Sequence, residues 1–155
     1  MSKLILLGGP PGVGKSTVIL APLLDRITCL DADRIWNPKC NGTRAEAIKV
    51  ISAAIKDELA PGKTVLLAWV FAKPALYQPF VEAFSPTAEI QQLYLVSEPK
   101  TLEARLRKRN SSDQITYALK KLELILKLPF DKIDTTNIDP DEVAEALNRM
   151  VLESV

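Results

Sequence analysis

One stretch near the start, Gly8-Gly9-Pro10-Pro11-Gly12-Val13-Gly14-Lys15-Ser16-Thr17, limits what this chain can fold into. An apolar run, Leu4 to Leu7, precedes it, and another begins at Val18. Glycines let a backbone take positive φ and bring its amides close to a bound group. Successive inward-pointing N–H groups then form an anion nest, and the next helix adds its unpaired amides and positive dipole end. A lysine at that end is unfavourable alone and becomes favourable when phosphate oxygens sit between. The stretch therefore predicts a strand, a phosphate-binding loop and a helix. Gly9, Pro10, Pro11, Gly12, Val13 and Gly14 form the cradle, and Lys15 reaches the outer phosphates. Ser16 is a candidate ligand for Mg²⁺, and Thr17 a secondary candidate near the innermost phosphate. The plainer alternative, a glycine-rich turn with an incidental lysine, does not account for the spacing Gly9-x-x-x-x-Gly14-Lys15-Ser16 between a strand and a helix.

Beyond the loop, strands and helices alternate. Strands are predicted at 3–8, 27–30, 64–70, 90–96 and 131–134. The run Thr64 to Val70 is apolar almost throughout, as a strand covered on both faces should be. Helices are predicted from Ser16 to about Arg26, shortened or kinked by Pro22, and from Thr43 as N-cap to about Leu59. Others run from Pro74 to Phe84, from Ser97 as cap with Pro99 in the first turn, and along Ile115, Leu119, Leu122 and Leu126. The last starts at the capping box Asp139-Pro140-Asp141-Glu142. Residues 31–42 read as loop. This alternation predicts an α/β fold: three α/β/α layers around a five-stranded parallel sheet, in a single domain spanning 1–155.

Composition narrows the function. The chain has 155 residues, 47% hydrophobic, with net charge +1, so no overall basic field draws it to nucleic acid. The longest apolar run, Val65 to Ala72, is too short to cross a bilayer, and a cytoplasmic protein is expected. Cys29 and Cys40 fit neither a zinc spacing nor a disulfide framework and read as free thiols. With no histidine, any acid–base chemistry falls to carboxylates, lysines, arginines and hydroxyls.

Asp31 and Asp33 follow the second strand. Ligands of α/β sheets bind beyond the carboxyl ends of strands, so one carboxylate can support a metal and the other can accept a proton. The competing reading is that both merely cap a turn. Between Lys100 and Arg109 lie five cations and one acid, Glu103. A solvated helix face explains such a run, but phosphoryl transfer needs cations over the γ-phosphate, and Arg109 at the helix end is the candidate. Trp36, Trp69, Phe71 and Tyr77 are candidates to line an acceptor pocket, with core packing favoured for the last two. Arg34, Lys39 and Arg44 are candidates for an anionic acceptor.

The extended loop GGPPGVGKST resembles that of the small P-loop kinases of the nucleoside-monophosphate-kinase-like group. CLDADRIW is similar to the acidic stretch of shikimate, adenylylsulfate and polynucleotide kinases. YLVSEPKTLEARLRKRN resembles the fourth strand and arginine-rich helix leading to their lid, and IDTTNIDPDEVAEAL the end of gluconate kinases and zeta-toxin-like proteins. The resemblance implies ATP and Mg²⁺ as cofactors, Arg105 stacked near adenine, and Thr136 in the adenine-side segment. It also implies a short lid at 109–113. Two departures matter. Leu67-Ala68-Trp69-Val70 holds no carboxylate where many relatives carry an aspartate, which leaves Asp31 for the metal. Trp36 stands where polynucleotide kinases have arginine, so a nucleic-acid substrate is not expected. The expected activity is transfer of the ATP γ-phosphate to a small-molecule hydroxyl, with Lys15, Asp33 and Arg109 as catalytic residues. The alternatives are a nucleoside, nucleotide or polynucleotide kinase, and a nucleotide-binding regulator with little turnover. No Asn-Lys-x-Asp motif points to guanine. Nothing in the sequence sets the oligomeric state.

Overall fold

A computed structural model describes residues 2–21, 26–36 and 42–153. The first apolar run forms β1 (Ser2–Gly8), buried along its whole length. The other strands are β2 (Thr28–Asp31), β3 (Thr64–Ala68), β4 (Ala88–Val96) and β5 (Asp131–Asp134). They form one sheet in the order β2-β3-β1-β4-β5, with every neighbouring pair parallel. The middle place of β1 explains its burial. Leu4, Ile5, Leu6 and Leu7 are walled by strands at both edges and helices on both faces, so each contributes about 1.5–3 kcal/mol of apolar burial.

Parallel strands need crossovers, and helices supply them. These are α1 (Lys15–Val18), α2 (Ala32–Ile35), α3 (Arg44–Glu58), α4 (Pro74–Phe84), α5 (Pro99–Lys108), α6 (Ile115–Leu126) and α7 (Pro140–Glu153). After β1 the chain builds β2 and β3 on one side, then β4 and β5 on the other. The crevice of such a sheet opens where the strand order reverses, beyond the carboxyl end of β1. The glycine-rich loop hangs there.

Local signals act as the sequence predicts at several ends. The Thr43 hydroxyl accepts the Glu46 amide at 3.2 Å and starts α3. Asp139 accepts the Glu142 amide at 2.9 Å while the Glu142 carboxylate accepts the Asp139 amide at 3.4 Å, which completes the capping box of α7. Other ends differ. Regular helix in α1 stops at Val18, and the next bonds tighten to Leu20 N–H on Thr17 O and Ala21 N–H on Val18 O. The residue before a proline is disfavoured in the α region, and Ala21 precedes Pro22. The predicted continuation over 22–25, and with it Lys39 and Cys40, lie outside the described residues. Within the predicted loop 31–42, the Asp31 carboxylate accepts the Asp33 amide at 3.0 Å and nucleates the short α2. Glu98, not Ser97, holds the N-cap position of α5, because Pro99 fixes the first helical residue one place later. In α6 the buried positions are Ala118, Leu122 and Ile125, and Leu126 is exposed. Among the described residues no helix is long and apolar enough to cross a membrane.

Candidate active site

The loop after β1 draws its shape from glycine. Gly12 has φ 86° and Gly14 φ 108°, conformations that cost other L-residues about 1–2 kcal/mol. The Gly9 amide is tied to Val70 O at 3.3 Å, and the Val13 amide to Pro10 O at 3.4 Å. These bonds frame the loop, while the first amides of α1 keep no intrahelical partner. The Lys15 ammonium folds back over the loop and donates to Gly9 O at 2.5 Å and Pro10 O at 3.0 Å. Burial lowers its pKa to about 8; Asp33 and Asp31 oppose that shift, and Arg109 adds to it. A half-buried cation facing a second cation across open space suits a polyanion between them.

That space is a cleft of about 730 Å³. It is lined by Pro11, Gly12 and Gly14 to Thr17, with Asp31 and Asp33 beside them. Ala68, Trp69 and Val70 close the side beyond β3, and Arg109 with Asp113, Gln114 and Tyr117 forms the rim. The Ser16 hydroxyl donates to the Asp31 carboxylate at 3.2 Å. Asp31 also lies 3.9 Å from the Arg34 guanidinium. In the strand register Asp31 is the partner of Ala68, so β2 delivers a carboxylate directly beside the place where β3 lacks one. Asp33 is reachable by solvent at the cleft mouth. Desolvation by the cleft walls, then Asp31, raise its pKa, while Lys15 and a hydrogen bond from the Trp69 indole lower it. Arg109 donates to the Gln114 side chain at 3.4 Å. Asn110 beside it takes φ 58°, turning the chain sharply at the start of the predicted lid.

The fold thus brings Pro11, Gly12, Gly14, Lys15, Ser16, Thr17, Asp31, Asp33, Arg109 and Trp69 to one cleft. Gly9, Pro10 and Val13 lie behind it as the frame of the loop. Arg105 and Thr136 are not on its lining. The Arg105 guanidinium instead donates to Thr135 Oγ1 at 2.8 Å, Thr135 O at 2.6 Å and Val13 O at 3.4 Å, stapling the end of β5 to the loop. The Thr136 hydroxyl donates to Asp134 at 2.6 Å and accepts the Glu98 amide at 2.9 Å. Phe71 and Tyr77 are buried in the core, and Tyr77 packs edge-on against Phe130. Trp36 is half-buried against the Gly42 backbone. Sequence reasoning missed Gln114 and Tyr117. The available signal was Tyr117 itself, an aromatic on the polar face of α6 and half exposed.

No protein-family model matches this chain, and no curated protein matches it in sequence. Its fold does have solved counterparts. A gluconokinase from Sinorhizobium meliloti 1021 superposes with a TM-score of 0.69 at 18% identity, over 98% of this chain and 94% of the other. A sugar kinase from Janibacter sp. HTCC2649 gives 0.70 at 16% identity, over 97% and 95%. The Deinococcus radiodurans tunicamycin resistance protein gives 0.68 at 16% identity, over 97% and 96%. At such identities the likeness concerns architecture, and it runs nearly end to end in each case. The chain has the α/β fold of the small P-loop kinases, with its glycine-rich loop at the crevice where the strand order reverses.

Proposed function

We propose that this protein transfers the γ-phosphate of ATP, with Mg²⁺, to a hydroxyl of a small-molecule acceptor. The observation that carries the reading is that two cations, Lys15 and Arg109, and two carboxylates, Asp31 and Asp33, line one cleft. Phosphoryl transfer is mostly positioning and charge neutralisation, so the enzyme needs cations on the phosphates and an oriented acceptor. The loop amides and Lys15 hold the β- and γ-phosphates. Arg109, at the rim, neutralises charge on the transferred group. Asp33 orients the acceptor hydroxyl and receives its proton late, and its raised pKa brings it closer to neutrality as a base. Trp69 forms the apolar wall beside it.

Ser16 and Asp31 would hold the Mg²⁺. Both offer hard oxygen donors side by side, the set this ion takes when phosphates and water supply its remaining ligands. When bound, the ion neutralises phosphate charge. The cleft volume falls in the range of small-molecule sites, about 300–1,000 Å³. The architectural likeness to a gluconokinase and a sugar kinase supports the same class of reaction.

A coupled ADP-release assay with MgATP, run against pooled small hydroxyl metabolites, tests the reading. Release above the no-acceptor rate in at least one pool is expected. A second reading, a nucleotide-binding regulator, draws support from Ala68-Trp69 at the end of β3, where no carboxylate stands. It expects tight MgATP binding with no acceptor-dependent release in any pool.

A further inference from the structure

We propose that Tyr94 is a positioning residue, whose buried hydroxyl fixes the turn that sets Trp69 in the cleft wall and Val70 against the phosphate loop. The functional consequence, though not the structural one, rests on the phosphotransfer reading above.

Past the end of β3 the chain makes two more bonds to the β1 side. The Trp69 amide donates to Leu7 O at 3.1 Å, and Val70 O accepts the Gly9 amide at 3.3 Å. Phe71 then turns with φ 43°, a strained conformation for a bulky residue, while fully buried. Such strain persists only where the surroundings over-determine it. Here Tyr94 Oη donates to Phe71 O at 2.8 Å.

Tyr94 is itself held tightly. Its side chain is fully buried and stacks on Phe130, with centroids 5.8 Å apart and planes 19° apart. It also lies under the start of the loop, where a Cβ on Gly8 would stand 2.3 Å from the ring. Burial raises the phenol well above its ordinary pKa, so the hydroxyl stays a donor at neutral pH. One side chain therefore touches both the entry of the phosphate loop and the exit of β3. Trp69 packs edge-on against Phe71 at 5.9 Å and against Phe80 at 6.2 Å, so a relaxed Phe71 turn carries Trp69 with it. Without its donor the buried Phe71 carbonyl loses its partner, and strain and desolvation then favour the same rearrangement.

The test compares ¹⁵N-labelled parent protein with Tyr94→Phe. The Trp69 indole and Gly9 amide resonances are expected to shift, with Trp69→Phe assigning the indole. Trp36, which packs on Gly42 instead, provides the unmoved reference. The dissociation constant for MgATP is expected to rise about 3- to 10-fold, the scale of one hydrogen bond. If both resonances stay in place while only the melting temperature falls, Tyr94 merely packs and the proposal is overturned. Should Tyr94→Phe fail to fold, Phe130→Leu keeps the hydroxyl and loosens the ring. The same two resonances should then move, and their staying fixed overturns the proposal equally. The resonance comparison needs no turnover, so shifted signals without phosphoryl transfer would count against the proposed function and leave the role of Tyr94 standing.

Discussion

The Ser16 hydroxyl donates to the Asp31 carboxylate across 3.2 Å, joining the first turn after the glycine-rich loop to the end of β2. The same carboxylate caps α2 through the Asp33 amide, so the turn-cap role and the proposed metal role coexist in one residue. That double duty separates the two acids. Asp33→Asn keeps the shape and removes the base, so acceptor-dependent turnover should fall by roughly 10²–10⁴-fold with MgATP affinity nearly intact. Asp31→Asn should instead raise the Mg²⁺ concentration needed for half-maximal rate. Steady-state kinetics over a Mg²⁺ series reads both, and exchanged phenotypes would swap the two roles.

Lys15 links the site to pH. Its pKa is lowered to about 8, chiefly by burial, against an ordinary value of 10.5. In the sign convention of linkage, the unfolded chain binds more protons than the folded one between those values, so the cost of burying the charged amine is present below pH 8 and is relieved as pH rises. Phosphate oxygens reverse the preference by favouring the charged form. Binding of MgATP near pH 8 should therefore take up protons, and affinity should fall above that pH. Calorimetry in buffers of different ionisation enthalpy measures the uptake. Lys15→Ala should abolish it, weaken MgATP binding, and leave the unliganded melting temperature unchanged or higher.

Two loop glycines have comparable φ but different surroundings. A Cβ at Gly12 would meet the buried Leu106 side chain at 2.7 Å, whereas Gly14 faces open space. Gly14→Ala should cost only the left-handed backbone term, about 1–2 kcal/mol. Gly12→Ala adds overpacking of about 1–3 kcal/mol. Urea denaturation should rank the two in that order, and equal losses would contradict the account of Gly12.

Burial also raises the Cys29 thiol to about 11 from an ordinary 9.0. Alkylation depends on the thiolate, which is scarcer but more nucleophilic at the raised pKa, so Cys29 should react roughly 10-fold more slowly near neutral pH than an unperturbed thiol. Mass spectrometry after brief iodoacetamide treatment would locate the label. Prompt modification of Cys29 in the folded protein would contradict its placement in β2 against the core.

Much of this was legible because the signals are local. An apolar run ending at Gly8 marks the central strand, and the order of strands and helices implies the parallel sheet. Thr43, Pro74 and Asp139 mark helix starts through chemistry within four residues of each start. The loop spacing also pointed to Lys15 and Ser16 without any knowledge of the fold. What stayed illegible depends on distant parts of the chain. Arg105 meets Val13, 92 positions earlier, and Thr135, 30 positions later, a commitment that no helical periodicity reveals. Tyr117 and Gln114 reach the cleft only because α6 begins beside it. The short α2 escaped because one Asp31 side chain, rather than an apolar pattern, nucleates it. The positive φ at Phe71 has no sequence signature at all, since it goes with a hydrogen bond from Tyr94 on another strand.

Phosphorus NMR of MgATP incubated with this protein and a pooled extract of small hydroxyl metabolites separates phosphoryl transfer from nucleotide binding alone. A new phosphate monoester resonance should grow as the γ-phosphate signal of ATP declines, with parent protein and not with Asp33→Asn. MgATP bound to the parent protein, with no ester formed in any pool, would contradict it and leave a nucleotide-binding module in its place.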